Sequence, residues 1–285
     1  MGAYWFRDTE GIKREVSVCG EKFVRDRVGD ALYRFMDTTG FYVTPGHIMI
    51  DSKDPLEDAD SLILKSEEYI KRGCTLLLIQ HLVTSIRHYR ELYDFFLEKL
   101  RGISVDYMIL PVIEAKVVQP EMVRFFSRRG CPFLCIVVKS EAELVEVKWE
   151  WLVQAQSHKR IPLTLIVKDQ KNTSNNYLEM WSSLCKQYGI IGLTDLQDDE
   201  MVTAQNLKDS GIFPRKGGFL PGGQADYNLY SVDETLTFDE QGNFRYHNSV
   251  PKVTVMNGSI KQVNQNVMDH EPGSHIKVKI HKHFV

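Results

Sequence analysis

Met36-Asp37-Thr38-Thr39-Gly40-Phe41-Tyr42-Val43-Thr44-Pro45-Gly46-His47-Ile48-Met49-Ile50-Asp51-Ser52-Lys53 is the stretch from which the rest of the chain is read. Residues 41–50 are mostly apolar or β-branched and form a strand, with two charged residues, Asp51 and Lys53, just beyond its end. Downstream the period changes. A helix over 58–72, with Leu62, Ile63, Tyr69 and Ile70 toward one side and Lys and Glu toward the other, stops at Gly73, and a strand follows over 74–79. The cycle repeats as helix 85–101 and strand 105–113, helix 120–129 and strand 132–138, helix 141–157 and strand 161–167, and helix 175–187 and strand 189–194. A last helix covers 198–210. Strands alternating with helices call for a parallel sheet covered by helices.

Within the opening stretch, Asp37, Gly40, Val43, Pro45 and Gly46 resemble the approach to the catalytic barrel in amidohydrolases of the dihydroorotase, hydantoinase and deacetylase type. Far away in sequence, Lys216-Gly217-Gly218-Phe219-Leu220-Pro221-Gly222-Gly223-Gln224-Ala225-Asp226-Tyr227-Asn228-Leu229-Tyr230 is similar to the family's return to its β domain. Val253-Thr254-Val255-Met256-Asn257-Gly258-Ser259-Ile260 then resembles the final hairpin, with Asn-Gly as the tight-turn pair. Together the matches identify a degenerate, shortened amidohydrolase relative across most of the chain.

The resemblance implies an α/β fold: an incomplete or distorted TIM-like (β/α) barrel with a small β-sandwich-like domain formed by both chain ends. The β domain is expected over 1–43 and 215–285, and the barrel over 44–214 with about six βα units. A complete barrel needs eight. Missing units expose sheet edges, which proteins cover with a helix, a loop or another chain. A homo-oligomer or a protein partner at the open barrel edge is therefore expected.

Family catalysis relies on divalent ions that lower the pKa of bound water, held by His and carboxylate ligands from several strands. The resemblance places these on a His-x-His of strand one, a carboxylated Lys or Glu of strand four, a His on each of strands five and six, and an Asp on strand eight. Alignment on Pro45-Gly46 puts Asp51 and Lys53 where the two histidines belong. On strand four the ligand position falls at Cys135, with Lys139 four residues later. Strand five ends in Lys168-Asp169 in place of His, and no sixth-strand His is visible. Thr194-Asp195 resembles the final catalytic Asp, and equally reads as a helix N-terminal turn, which short carboxylates stabilise.

His47 stands early in strand one and reads as a packed or hydrogen-bonded residue. His81 follows strand two and is placed at the mouth, as is Glu114 at the end of strand three. Asp195, His81 and Lys139 are thus the candidates for any surviving catalysis, with zinc or manganese as its metal. Asp51, Lys53, Glu114, Lys168 and Asp169 are the charged lining of a mouth pocket, in which lysines replace the charge of a lost cation by pairing with carboxylates. No metal is expected in the leading reading.

The remaining features are bland. Cys131 and Cys135, two of five cysteines, lack the Cys-x-x-Cys spacing and sit in an apolar strand, so the pair reads as small core residues. His270, His275, His281 and His283 cluster in the tail, where an alternating pattern describes a solvated strand face. A composition of 43% hydrophobic and 26% charged residues in 285 suits a globular protein. A net charge of −3 with no basic block gives no footprint for nucleic acid. No apolar run reaches the roughly 20 residues of a membrane span, and the N-terminal residues lack signal-peptide order, so cytoplasmic residence is expected. No Gly-rich phosphate loop or nucleophile elbow appears. Three functions fit: a metal-free binding or assembly subunit, a divergent hydrolase of cyclic C–N bonds, or a binder of small ligands in a charged mouth pocket.

Overall fold

The computed structural model describes residues 3–7, 15–25, 33–51, 55–56, 61–157, 159–167, 174–193, 196, 201–232, 250–268 and 271–278, without the side chains of 174–176. Of the residues singled out above, Lys53, Lys168, Asp169, Asp195, His270, His281 and His283 lie outside this set.

Both chain ends build the small β unit. β1 (Ala3–Arg7), β2 (Glu15–Cys19), β3 (Lys22–Val24) and β4 (Arg34–Phe35) form a sheet of order β3-β2-β1-β4. β5 (Phe41–Pro45) leads into the central part of the chain, yet pairs antiparallel with a strand from beyond it, Tyr227–Ser231. The two sheets share one core, with Phe6, Val18 and Phe23 from the first against Val43, Tyr227 and Val255 from the second.

β6 (His47–Ile50) begins a second, parallel sheet with β7 (Cys74–Val83), β8 (Tyr107–Glu114), β9 (Leu134–Val138) and β10 (Leu163–Val167), hydrogen-bonded in sequential order. The strand expected over 41–50 is therefore two strands in two sheets. Pro45 has no N–H for a ladder. The Gly46 N–H turns aside to the Asp226 carbonyl at 2.9 Å, and a Cβ at Gly46 would collide with Thr75 Oγ1 and lie 2.9 Å from Asp226 Cβ. Glycine is what lets the chain cross between the two units at this point.

The sheet curls as a half-barrel with different fillings on its two faces. Odd-numbered residues of β7 and β8, such as Leu77, Ile79, Ile109 and Ile113, pack outward. They meet α1 (Leu62–Lys71), α2 (Tyr89–Lys99) and α3 (Pro120–Arg129), and the helical segments after β9 and β10. The single helix expected over 141–157 is broken into α4 (Glu141–Glu146) and α5 (Trp149–Gln156), with Val147 extended between them. The break buries Trp149 beside Trp181 of α6 (Ser174–Tyr188) at a centroid distance of 5.6 Å, and its indole N–H bonds the Leu144 carbonyl at 2.8 Å.

Beyond β10, Leu193 N–H bonds the Leu163 carbonyl at 2.8 Å and Leu163 N–H bonds Ile191 O at 2.9 Å, a sixth position held by a single bridge. The helix expected over 198–210 is shorter. Met201 and Val202 are extended against β6, with Val202 N–H to Ile48 O at 3.0 Å. α7 (Ala204–Asp209) starts only after Thr203, whose hydroxyl caps it by accepting Asn206 N–H at 3.2 Å. Both outer strands thus carry segments of their own chain.

β11 (Tyr227–Ser231), β12 (Val253–Met256), β13 (Ser259–Val263) and β14 (Asn266–Val267) complete the small domain in the order β14-β13-β12-β11-β5. Residues 271–278 then run as a strap across the N-terminal ends of β8 and β9. Gly273 N–H bonds Ile103 O, Tyr107 N–H bonds Ser274 O, Ile276 N–H bonds Tyr107 O and Val278 N–H bonds Gly130 O, all within 3.0 Å. Cys74, Cys131 and Cys135 are buried and none of the five cysteines forms a disulfide. Among the described residues, no helix is long and apolar enough to cross a membrane.

Candidate functional site

In a (β/α) barrel the reacting groups stand at the C-terminal strand ends around the axis. Here the concave face is apolar. Ile48 and Ile50 of β6, Leu76 and Leu78 of β7 and Met108, Leu110 and Val112 of β8 form one core with Val202, Leu207 and Ile212 from the segment around α7. Cys135, the strand-four ligand position, lies in this core. The Ile276 side chain of the strap enters it as well.

Asp51 is fully buried at the end of β6. One carboxylate oxygen accepts Gln80 N–H at 2.7 Å and the other accepts Leu56 N–H at 3.0 Å. It ties the loop after β6 to the end of β7, using backbone donors where the family pattern has a metal. Hydrogen bonds to an ionised acceptor are about twice as strong as neutral ones.

Glu114 and Lys139 do come together at the mouth, 3.5 Å apart, and Lys116, which sequence reading missed, sits closer to Glu114 at 2.7 Å. The Lys116 hydrogen bond leads in holding the Glu114 carboxyl below its usual range, and Glu114 in turn raises the Lys116 ammonium. Lys139 N–H donates to the Glu143 carboxylate at 2.8 Å, and Glu143 backbone N–H donates to the Ser140 hydroxyl, so Glu143 fixes the start of α4 through both its side chain and its backbone.

His81 is not at the mouth. β7 runs on to Val83, which places His81 in register with Pro111 and on the same side as Leu77, Ile79 and Val83. Its ring stacks on Phe96 of α2 at 4.8 Å and meets Tyr93 edge-on at 6.2 Å, away from the barrel axis. His47 stands at the opposite end of the sheet, with Nδ1 at 3.2 Å from Arg72 O and Nε2 at 3.1 Å from Tyr230 Oη. Burial lowers its pKa to about 4. Among the described residues no three His, Cys, Asp or Glu side chains converge in a way that holds a metal. Asp51, His81, Glu114 and Lys139 as placed do not fit the family's metal ions.

The densest charge cluster lies at the base. Lys216 donates to Asp106 at 2.9 Å, to Asp226 at 2.5 Å and to Thr75 O at 3.2 Å, with all three charged groups buried. Asn257 bonds both carboxylates, through its backbone N–H and its side-chain amide, and Ser274 N–H bonds Asp106 at 2.7 Å. Burial opposes all three charges. The two carboxylates outweigh it and raise the Lys216 pKa; the ammonium together with the Ser274 and Asn257 N–H groups outweighs it and lowers the Asp106 pKa; at Asp226 burial prevails and the pKa is raised. The Lys216-Gly and Ala-Asp226 pairs were legible as motifs; Asp106 was missed because nothing local marks it.

No family model and no curated protein matches the sequence. Solved structures do match. A dihydropyrimidinase from Brevibacillus agri superposes with a TM-score of 0.59 at 11% identity, covering 98% of this chain and 99% of that one. A D-hydantoinase from a Bacillus species gives 0.60 at 11% identity over 98% of both chains. An adenine deaminase gives 0.53 at 14% identity over 90% of this chain and 97% of that one. The fold is that of the amidohydrolase superfamily.

Proposed function

We propose that this chain is a catalytically degenerate amidohydrolase-fold protein that acts as a binding or assembly subunit. The observation that carries the reading is the fate of the ligand positions: Cys135, at the strand-four position, is buried in the apolar core of the concave face, and His81 turns to the helix side, so neither is placed to hold an ion at the mouth. The commitment of Asp51 to two backbone donors supports it further. The reading includes a homo-oligomer or a protein partner at the barrel edge beyond residues 190–193, because a six-position sheet retains edges to cover.

The test is metal content by elemental mass spectrometry on protein purified without chelators or a histidine tag, together with its mass in solution. A folded, metal-free protein with a mass above that of one 32.9 kDa chain is expected. About one zinc or manganese per chain, lost in Asp195→Ala, would overturn the reading in favour of a hydrolase of cyclic C–N bonds.

A further inference from the structure

A cleft of about 520 Å³ opens on the loop side of the sheet, between the turn after β8 and the corner joining α4 to α5. It lies beside the Glu114–Lys139 pair and outside the filled barrel axis. Its size falls in the range that holds small molecules. Val118, Pro120, Val147 and Leu152 give it apolar surface, and Trp151 stands on its wall with 60% of its surface exposed. Trp149 and Trp181 nearby are each only 2% exposed, so Trp151 is left out of the core that the helix break creates.

The charges divide clearly. Lys116 is held by Glu114 at 2.7 Å, Glu121 faces Arg124 at 3.5 Å and Glu143 accepts Lys139 N–H. Glu146 and Lys148, either side of Val147, have side chains without a hydrogen bond or ion pair among the described residues. One acid and one base thus remain uncommitted next to an exposed indole.

We propose that this cleft binds a small zwitterion with an apolar side chain, the chemical class of free α-amino acids. The ammonium pairs with Glu146, the carboxylate with Lys148, and the side chain packs on Trp151. This site is independent of whether the barrel is catalytically silent.

The test titrates the full chain with L-leucine and L-phenylalanine, following tryptophan emission and its quenching by iodide, with calorimetry alongside. The expected result is a saturable emission shift and loss of iodide access. N-acetyl-L-leucine, lacking the ammonium, and L-leucinamide, lacking the carboxylate, should each bind about tenfold more weakly or worse. Glu146→Gln should weaken L-leucine while leaving the already weak N-acetyl form unchanged, and Lys148→Met should do the same with respect to the amide. Trp151→Phe should remove the optical change while calorimetry still detects binding. The proposal fails if neither amino acid gives a saturable change up to about 10 mM, or if the acetyl and amide forms bind as well as L-leucine. It also fails if the optical change persists in Trp151→Phe.

Discussion

At the scale of the residue, His47 shows how an ionisable group is spent on architecture. Its ring is buried between the Arg72 carbonyl and the Tyr230 hydroxyl, and it stays neutral down to a pH of about 4, against 6.5 for an ordinary histidine. Between those values the unfolded chain takes up a proton that the folded chain refuses. Stability is therefore full above pH 6.5 and falls as the pH drops toward 4, by about 2 kcal/mol at pH 5 from this residue. The difference in urea midpoint between pH 7 and pH 5 should shrink in His47→Asn; an unchanged difference would remove His47 from the account. Its packed role was legible from its early place in strand one. Asp51 was legible only as a replacement for a ligand. Its actual partners, the N–H groups of Leu56 and Gln80, belong to residues whose positions the local sequence does not fix.

At the scale of the element, the type of most segments could be read and their ends could not. His81 was misplaced by strand length alone, since ending β7 at residue 79 puts it in a loop and extending the strand to Val83 turns it onto the helix side. The division of 141–157 has no Pro or Gly to announce it; burial of Trp149 and its bond to Leu144 O favour two short helices over one. Likewise the pairing of Val202 with Ile48 displaces the start of α7. The crossing at Pro45-Gly46 is an element boundary with little tolerance. Gly46→Ala should cost about 1–3 kcal/mol, on the scale of other overpacked core sites, because Thr75 and Asp226 must both yield. Thermal unfolding by circular dichroism would show this, and a variant with an unaltered midpoint would mean that the two units can separate slightly at no cost.

At the scale of the whole molecule, the repeating strand and helix pattern conveyed a parallel sheet covered by helices, and the resemblance carried by Pro45-Gly46 and by residues 216–230 conveyed the barrel and the use of both chain ends. Neither gave a hint that the barrel fills itself, because the contacts of Leu207, Ile212 and Ile276 with β6, β7 and β8 span long sequence distances. If those residues form an interior core, Leu207→Ala leaves a cavity and should cost about 2–5 kcal/mol in denaturant unfolding. A cost below about 1 kcal/mol would instead indicate a loosely seated segment over a space still open to ligands. The strap at residues 271–278 has a consequence for how the protein is made. Strands β6 to β10 leave the ribosome first, yet Ile276, Ser274 and Gly273 supply part of their interior and close their base. The barrel of a growing chain therefore stays unfinished at its floor until the strap has emerged.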